Sequence, residues 1–286
     1  MPELPEVETI ACSLRNATAL PFVENCNLRD RPGVVGRTIG NARVLWQRSV
    51  AQPAAEDFCT RIINQQTTRV SRRGKYLTLQ TTRDWLLIHL RMSGDIRVEP
   101  RESAELIHDR IILDFSDGVR LVFNDTRKFG RMWLVQDPSI VLGSLGPEPF
   151  DPQLTAESFL CMLERSGRAI KPLLLDQTFI AGMGNIYTDE ALFMAGIHPL
   201  RKAQTLNVEQ AGLVLKSIRQ VLQEGIRRNG ASIDWVYRGG EFQNYFNVYQ
   251  RTGKACPRCG QLIERWVVGQ RGTHFCPVCQ KLDPGS

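Results

Sequence analysis

The chain has 286 residues, a length that allows two or three domains with substantial cores. Lys and Arg outnumber Asp and Glu 36 to 30, for a net charge of +6, which suits a polyanionic partner such as nucleic acid without requiring one. Hydrophobic residues at 42% and charged residues at 23% exclude a disordered or collagen-like chain, and no run approaches the ~18 apolar residues of a bilayer span.

The opening MPELPEVETI is acidic and carries two prolines, so it is neither a secretory signal nor an Arg-rich transit peptide. Pro5 suits the first turn of a helix, where its missing N–H costs nothing. Val7, Ile10, Ala11 and Leu14 then follow with helical period, and Glu6 and Glu8 sit near the positive end of the helix dipole. From residue 34 to 135 the pattern predicts strands. Ile111, Leu113 and Phe115 alternate, Ser116-Asp117-Gly118 turns, and Val119, Leu121 and Phe123 alternate again, which is a hairpin. Tyr76 to Leu79 and Trp85 to Leu90 make a second pair around residues 81–84. The first half therefore reads as a helix laid against a mostly antiparallel β-sandwich. Residues 143–152, GSLGPEPFDP, read as a linker. Beyond them Phe159, Met162 and Leu163 share one helical face, and Val208, Ala211, Leu215 and Ile218 share another. A break at Arg238-Gly239-Gly240 leads into a cysteine-rich end.

The eight cysteines divide into two groups. Cys12, Cys26, Cys59 and Cys161 are scattered and read as small buried hydrophobes with reduced thiols. Cys256-Pro257-Arg258-Cys259 and Cys276-Pro277-Val278-Cys279 are two C-x-x-C knuckles sixteen residues apart. Four thiolates at this spacing close a tetrahedron around one zinc ion with no open position, so the site is structural. Two disulfides or a redox pair are the alternatives, and the reducing, intracellular compartment that this usage suggests disfavours them. Between the knuckles Gly269 to His274 form a polar turn whose Arg271 is suited to a phosphate.

Pro2 becomes a secondary amine if Met1 is removed, as a small second residue normally permits. Such an amine has a pKa near ~8, lowered by a helix-end potential, and can attack an aldehydic carbon to give an iminium. Glu3 and Glu6 lie close by as proton donors or acceptors. Read alone, the same residues fit plain helix-entry chemistry better than catalysis.

The ordered blocks MPELPEVET, RRGKYL (72–77), HLRMSG (89–94), NDTRKFG (124–130), LDQTFIAGMGNIYTDEAL (175–192) and the four-cysteine module change that balance. Together they resemble the bacterial formamidopyrimidine-DNA glycosylases of the Fpg/Nei family essentially end to end, and Leu4 separates the chain from the endonuclease VIII branch. The resemblance implies an α+β multidomain fold. It has an N-terminal helix with an antiparallel β-sandwich (1–142), a helix–two-turn–helix domain (150–238) and a C-terminal zinc-ribbon hairpin (239–286). It also implies a bifunctional glycosylase and abasic-site lyase that removes oxidised purines, 8-oxoguanine or formamidopyrimidines, from damaged double-stranded DNA in base excision repair.

By the same resemblance Pro2 is the nucleophile, Glu3 the general acid at the sugar oxygen and Glu6 an orienting carboxylate. Lys75 contacts the phosphate beside the lesion. Met92, Arg127 and Phe129 fill the gap left by the everted base, Arg127 bonding the orphaned cytosine and Phe129 wedging the stack. Asn185 and Arg271 grip phosphates, and His89, Lys171 and Tyr187 fall among the DNA contacts. Residues 230–241 match the loop that covers the everted base. The duplex is expected bent in a basic cleft between the domains, the protein a monomer in the bacterial cytoplasm, and the zinc architectural.

Overall fold

The computed structural model describes residues 1–15, 33–232 and 239–282; Cys26 lies outside them. The chain divides into two compact units, Met1–Ser144 with Ile226–Gly240, and Leu145–Gly225 with Glu241–Ser286. These units are a coarser grouping than the three expected domains, with the cysteine module inside the second.

The first unit starts with helix α1 (Leu4–Leu14). There follow β1 (Ile39–Val44), β2 (Val50–Gln52), α2 (Ala55–Ile62), β3 (Thr67–Arg73), β4 (Tyr76–Thr81), β5 (Trp85–His89), β6 (Gly94–Pro100), β7 (Asp109–Phe115), β8 (Val119–Asp125), β9 (Arg131–Val135) and the short α3 (Ser139–Leu142). They form a four-stranded sheet of order β1-β7-β8-β6 and a five-stranded sheet of order β2-β9-β5-β4-β3. Pairing is antiparallel except for the short β2 beside β9. Both predicted hairpins are present, β4 with β5 and β7 with β8. The core joins Leu77, Leu79, Leu86 and Ile88 of one sheet to Ile111, Leu113, Leu121 and Phe123 of the other. The α1 stripe of Val7, Ile10, Ala11 and Leu14 seals the same core. Burying each such side chain is worth about 1.5–3 kcal/mol, so the start of α1 is held by packing along the whole helix.

The second unit contains α4 (Ala156–Glu164), α5 (Ile170–Leu174), α6 (Asn185–Ala195), α7 (Val208–Arg227, whose last turn enters the first unit), β10 (Glu264–Val268) and β11 (Arg271–Phe275). Thr155 caps α4 by accepting from Ser158 N, and Ser158 Oγ accepts from Thr155 N in return. Phe159 and Leu163 of α4 are buried while Met162 is half-buried. On α7, Ala211, Leu215 and Ile218 are buried, but Val208 opens the helix and stands exposed.

The segment expected to be a linker is instead fastened within the second unit. Gly146 N donates to Gln177 O and Ala181 N to Pro147 O. The Arg219 guanidinium on α7 gathers the carbonyls of Pro149, Asp151 and Leu154. Its glycines and prolines serve close main-chain approach rather than freedom. Among the scattered cysteines Cys12 is buried and Cys59 half-buried, whereas Cys161 is exposed, so the expectation of burial fails there.

Candidate functional site

Pro2, Glu3 and Glu6 are all buried at the start of α1. Glu6 Oε2 accepts from Glu3 N at 2.8 Å, which orients the first residues of the chain. Its other oxygen accepts from Ala231 N at 2.7 Å, so the segment at 230–231 closes over the same carboxylate. Gly230 has φ +78, and a Cβ there would stand 2.6 Å from Glu6 Oε1; both the conformation and the space require glycine. Residues 233–238 of the expected covering loop lie outside the described residues.

Helix α1 packs on β3 and β4, and Glu8 fixes its register by pairing with Arg72 of β3 at 2.8 Å and with Arg15 at 3.0 Å. These two guanidiniums outweigh burial and hold the Glu8 carboxyl below its ordinary pKa. Lys75 follows Gly74, whose φ of +54 makes the tight β3–β4 turn, and the lysine is 5% exposed. Strand pairing sets Tyr76 opposite His89, with their rings edge to face at 4.6 Å. Burial, together with the charges of Arg91 and Lys75, pushes the His89 pKa down to about 3, so the imidazole is neutral at neutral pH. Its Nδ1 accepts from Arg91 N at 3.0 Å, which leaves the proton on Nε2.

Met92 is 39% exposed and Phe129 49%, large apolar side chains presented outward on two turns of the first unit. Arg127 is exposed as well, with its guanidinium 5.2 Å from the Phe129 ring. Exposed apolar groups beside a cation are what a wedge into stacked bases requires.

In the second unit Gly184 precedes α6 and Asn185 begins it. Gln177 staples the turns before it, accepting from Gly182 N and donating to the carbonyls of Leu175 and Met183. Asn185 Nδ2 donates to Gly272 O at 3.0 Å, leaving its second amide hydrogen for another acceptor. Arg271, at the tip of the β10–β11 hairpin, is exposed.

Two residues expected to touch DNA stand elsewhere. Lys171 is wholly buried. Its ammonium lies 2.6 Å from Asp189 Oδ1 and donates to Gly272 O at 3.0 Å. Asp189 Oδ2 in turn accepts from His274 N at 2.9 Å. Tyr187 is wholly buried too, stacked on Phe242 with centroids 5.1 Å apart. These side chains have no surface to offer a duplex. Lys171 instead secures the hairpin that carries Arg271.

The sequence reading also passed over Asp189 and Glu190. Glu190 accepts from the main-chain N–H groups of Asn247, Val248 and Tyr249, yet burial still pushes its pKa up. The available signal was an acidic pair inside a helix with an apolar residue on nearly every side, where charges require partners.

The sulfurs of Cys256, Cys259, Cys276 and Cys279 lie within 4.8 Å of one another. Cys256 to Cys279 measures 3.8 Å and Cys259 to Cys276 3.5 Å, close to the ~3.8 Å edge of a tetrahedron with Zn–S near ~2.3 Å. None of the seven described cysteines is in a disulfide. The residues fit one structural zinc ion. The module is bolted to the C-terminal end of α6 by Arg258, which donates to Phe193 O and Met194 O.

A buried N-terminal carboxylate site, exposed apolar side chains on two turns, a helix–two-turn–helix and a four-cysteine zinc hairpin are together the features of DNA-repair glycosylases. Family models agree along the chain. The formamidopyrimidine-DNA glycosylase N-terminal domain matches residues 18–132, its H2TH domain 145–236, and a zinc finger found in FPG and IleRS 253–282. The formamidopyrimidine-DNA glycosylase of Chloroflexus aggregans is 43% identical over 290 residues, covering 99% of both chains. That of Protochlamydia amoebophila is 40% identical over 290 residues, covering 98% of this chain and all of the relative. Among solved structures, Lactococcus lactis Fpg bound to abasic-site DNA matches with a TM-score of 0.86 at 34% identity, over 98% of this chain and 100% of that one. The same enzyme bound to DNA containing an oxidised pyrimidine matches with a TM-score of 0.85 at 35% identity and the same coverage. The chain belongs to the formamidopyrimidine-DNA glycosylase family, DNA glycosylases of base excision repair.

Proposed function

We propose that the protein excises oxidised purines, 8-oxoguanine and formamidopyrimidines, from duplex DNA and then cuts the strand by β,δ-elimination through an iminium on Pro2. The observation that carries this reading is the buried start of α1, where Pro2 and Glu3 stand beside a Glu6 carboxylate held by Glu3 N and Ala231 N. With Met1 removed, the Pro2 nitrogen is a secondary amine. It attacks C1′ and gives up its proton as the C1′–N9 bond breaks and the base leaves with a proton. Glu3 protonates the sugar ring oxygen, so that the C1′–O4′ bond opens and C1′ becomes the iminium carbon. The iminium acidifies C2′, so loss of that proton expels the 3′-oxygen, and a second elimination expels the 5′-oxygen.

Each remaining side chain has a role consistent with its setting. Lys75 binds the phosphate beside the lesion, and neutral His89 offers an Nε2–H to the backbone. Met92, Arg127 and Phe129 occupy the duplex once the base is everted, which offsets an unstacking cost of a few kcal/mol. Arg271 and Asn185 hold phosphates, with Lys171 supporting the Arg271 hairpin through Gly272 O and Tyr187 packed on Phe242. The protein acts as a monomer in the bacterial cytoplasm.

Oxidised pyrimidines are a second reading, favoured by the Lactococcus lactis complex with such DNA. Single-turnover cleavage of 8-oxoguanine:cytosine and 5-hydroxycytosine:guanine duplexes decides between them. Faster cutting of the first, leaving phosphate at both ends of the gap, is expected. Cleavage confined to the second would reverse the assignment.

A further inference from the structure

The side chains assigned to the duplex stand on two separate turns of the first unit. Met92 is on the turn after β5, and Arg127 and Phe129 are between β8 and β9. Both turns are tied to one carboxylate that the functions above do not use. Asp125, the last residue of β8, is wholly buried. Its Oδ1 accepts from the Ser93 hydroxyl on the first turn and from Arg127 N at 3.1 Å on the second. Its Oδ2 accepts from Gly130 N at 2.7 Å, beyond Phe129. Ser93 Oγ accepts from Arg127 N in turn, also at 3.1 Å, so the two turns share a hydrogen-bonded N–H.

The anchor is rigid. Asp125 N donates to His108 O at 2.9 Å, its carbonyl accepts from Arg110 Nε at 2.8 Å, and β8 pairs it with Gly94 of β6. From outside, the Lys128 ammonium lies 4.0 Å from the Trp46 ring centroid. Arg131 donates to Lys128 O and Gly130 O. The backbone of each turn is therefore constrained while the probing side chains stay exposed. Ordering them in advance removes a cost otherwise met at the moment of binding.

We propose that Asp125 is a positioning residue that couples the two turns, so that Met92, Arg127 and Phe129 enter the duplex as one rigid group. The proposal rests on the reading of those three as duplex-probing residues. It explains why a carboxylate is needed. Three donors from two turns converge on two oxygens, and an Asn offers one acceptor oxygen and one NH2. Asn conserves volume but sets donor against donor on one side. With its NH2 toward Gly130 N the second turn loses that anchor, and with its NH2 toward Ser93 and Arg127 the link between the turns is weakened.

The test compares wild type, Asp125→Asn and Ser93→Ala, each confirmed as folded by thermal melting. Excision from an 8-oxoguanine:cytosine duplex should slow by about tenfold in both variants. Cleavage of a single-stranded abasic oligonucleotide, which has no stack to enter, should stay within about twofold. A double-mutant cycle of Met92→Ala and Phe129→Ala should be non-additive in wild type and additive in the Asp125→Asn background. Equal slowing on both substrates, or no slowing on either, would overturn the proposal, as would a cycle unchanged by Asp125→Asn. If Asp125→Asn does not fold, Ser93→Ala carries the test alone, since it removes only the bridge between the turns. A wild type inactive on both substrates would remove the underlying reading instead, which separates the two failures.

Discussion

The two units fasten their functional side chains by different means. In the first, a large core spanning two sheets and α1 carries the load, and buried carboxylates of Glu6 and Asp125 receive main-chain N–H groups from turns nearby. In the second, the hairpin bearing Arg271 has a small core of Phe193, Val248, Cys256, Ile263 and Cys276. There a four-sulfur metal site and the Lys171–Asp189 ion pair take over. The proposed roles match this difference: a wedge against a DNA stack would need a stiff platform, whereas a phosphate clamp would need little more than a held backbone and one exposed guanidinium.

The largest expected effect that sharpens this contrast is loss of zinc. Binding worth about 10–16 kcal/mol underlies such modules, so chelation or Cys276→Ser should unfold the hairpin and abolish tight DNA binding. Calorimetry should show the β-sandwich still melting on its own. Binding that survives chelation would break the comparison. Next is Lys171→Met, which strands the Asp189 charge and should cost about 3–5 kcal/mol in the second unit. Pairing it with Asp189→Leu should recover much of that loss in denaturant melts. If Lys171 contacted phosphate, Lys171→Met would instead lower the salt dependence of binding and leave stability alone.

Arg271→Ala is smaller and opposite in kind. It should weaken binding to every duplex and reduce the salt slope by roughly one unit, with melting unchanged. An unaltered slope would take Arg271 off the phosphate list. The effect that is smallest at neutral pH, and grows only in acid, concerns His89, whose folded pKa of about 3 lies below the ordinary 6.5. Between those values the unfolded chain binds the extra proton, so stability falls as pH drops from 6.5 toward 3. Stability curves for wild type and His89→Gln should run parallel above pH 6.5 and diverge below it. Parallel curves throughout would show that His89 is not held neutral by burial.

Much of this was legible in the chain. Local signals sufficed for α1, for the hairpins at 76–89 and 111–123, and for the four cysteines, because period, turn residues and ligand spacing are short-range properties. What escaped depends on distance in sequence. Ala231 reaches Glu6 across 225 residues, and Lys171 reaches Gly272 across 101, which no local pattern encodes. A lysine beside a proline looks like a surface charge until its partner Asp189 is in view. Residues 143–152 have the composition of a linker, but Arg219 turns them into a braced segment. Asp125 sits inside the NDTRKFG block, and its bond to Arg127 N is the local Asx-turn pattern, but its link to Ser93 spans 32 residues.

Pro2 as the nucleophile is tested by borohydride trapping on an 8-oxoguanine:cytosine duplex. Wild type and Pro2→Gly are compared after intact-mass analysis confirms that Met1 is absent from both. Wild type should give a covalent protein–DNA adduct and Pro2→Gly at most a trace. Equal trapping by both proteins, or none by wild type on a duplex it binds, would contradict that role for Pro2.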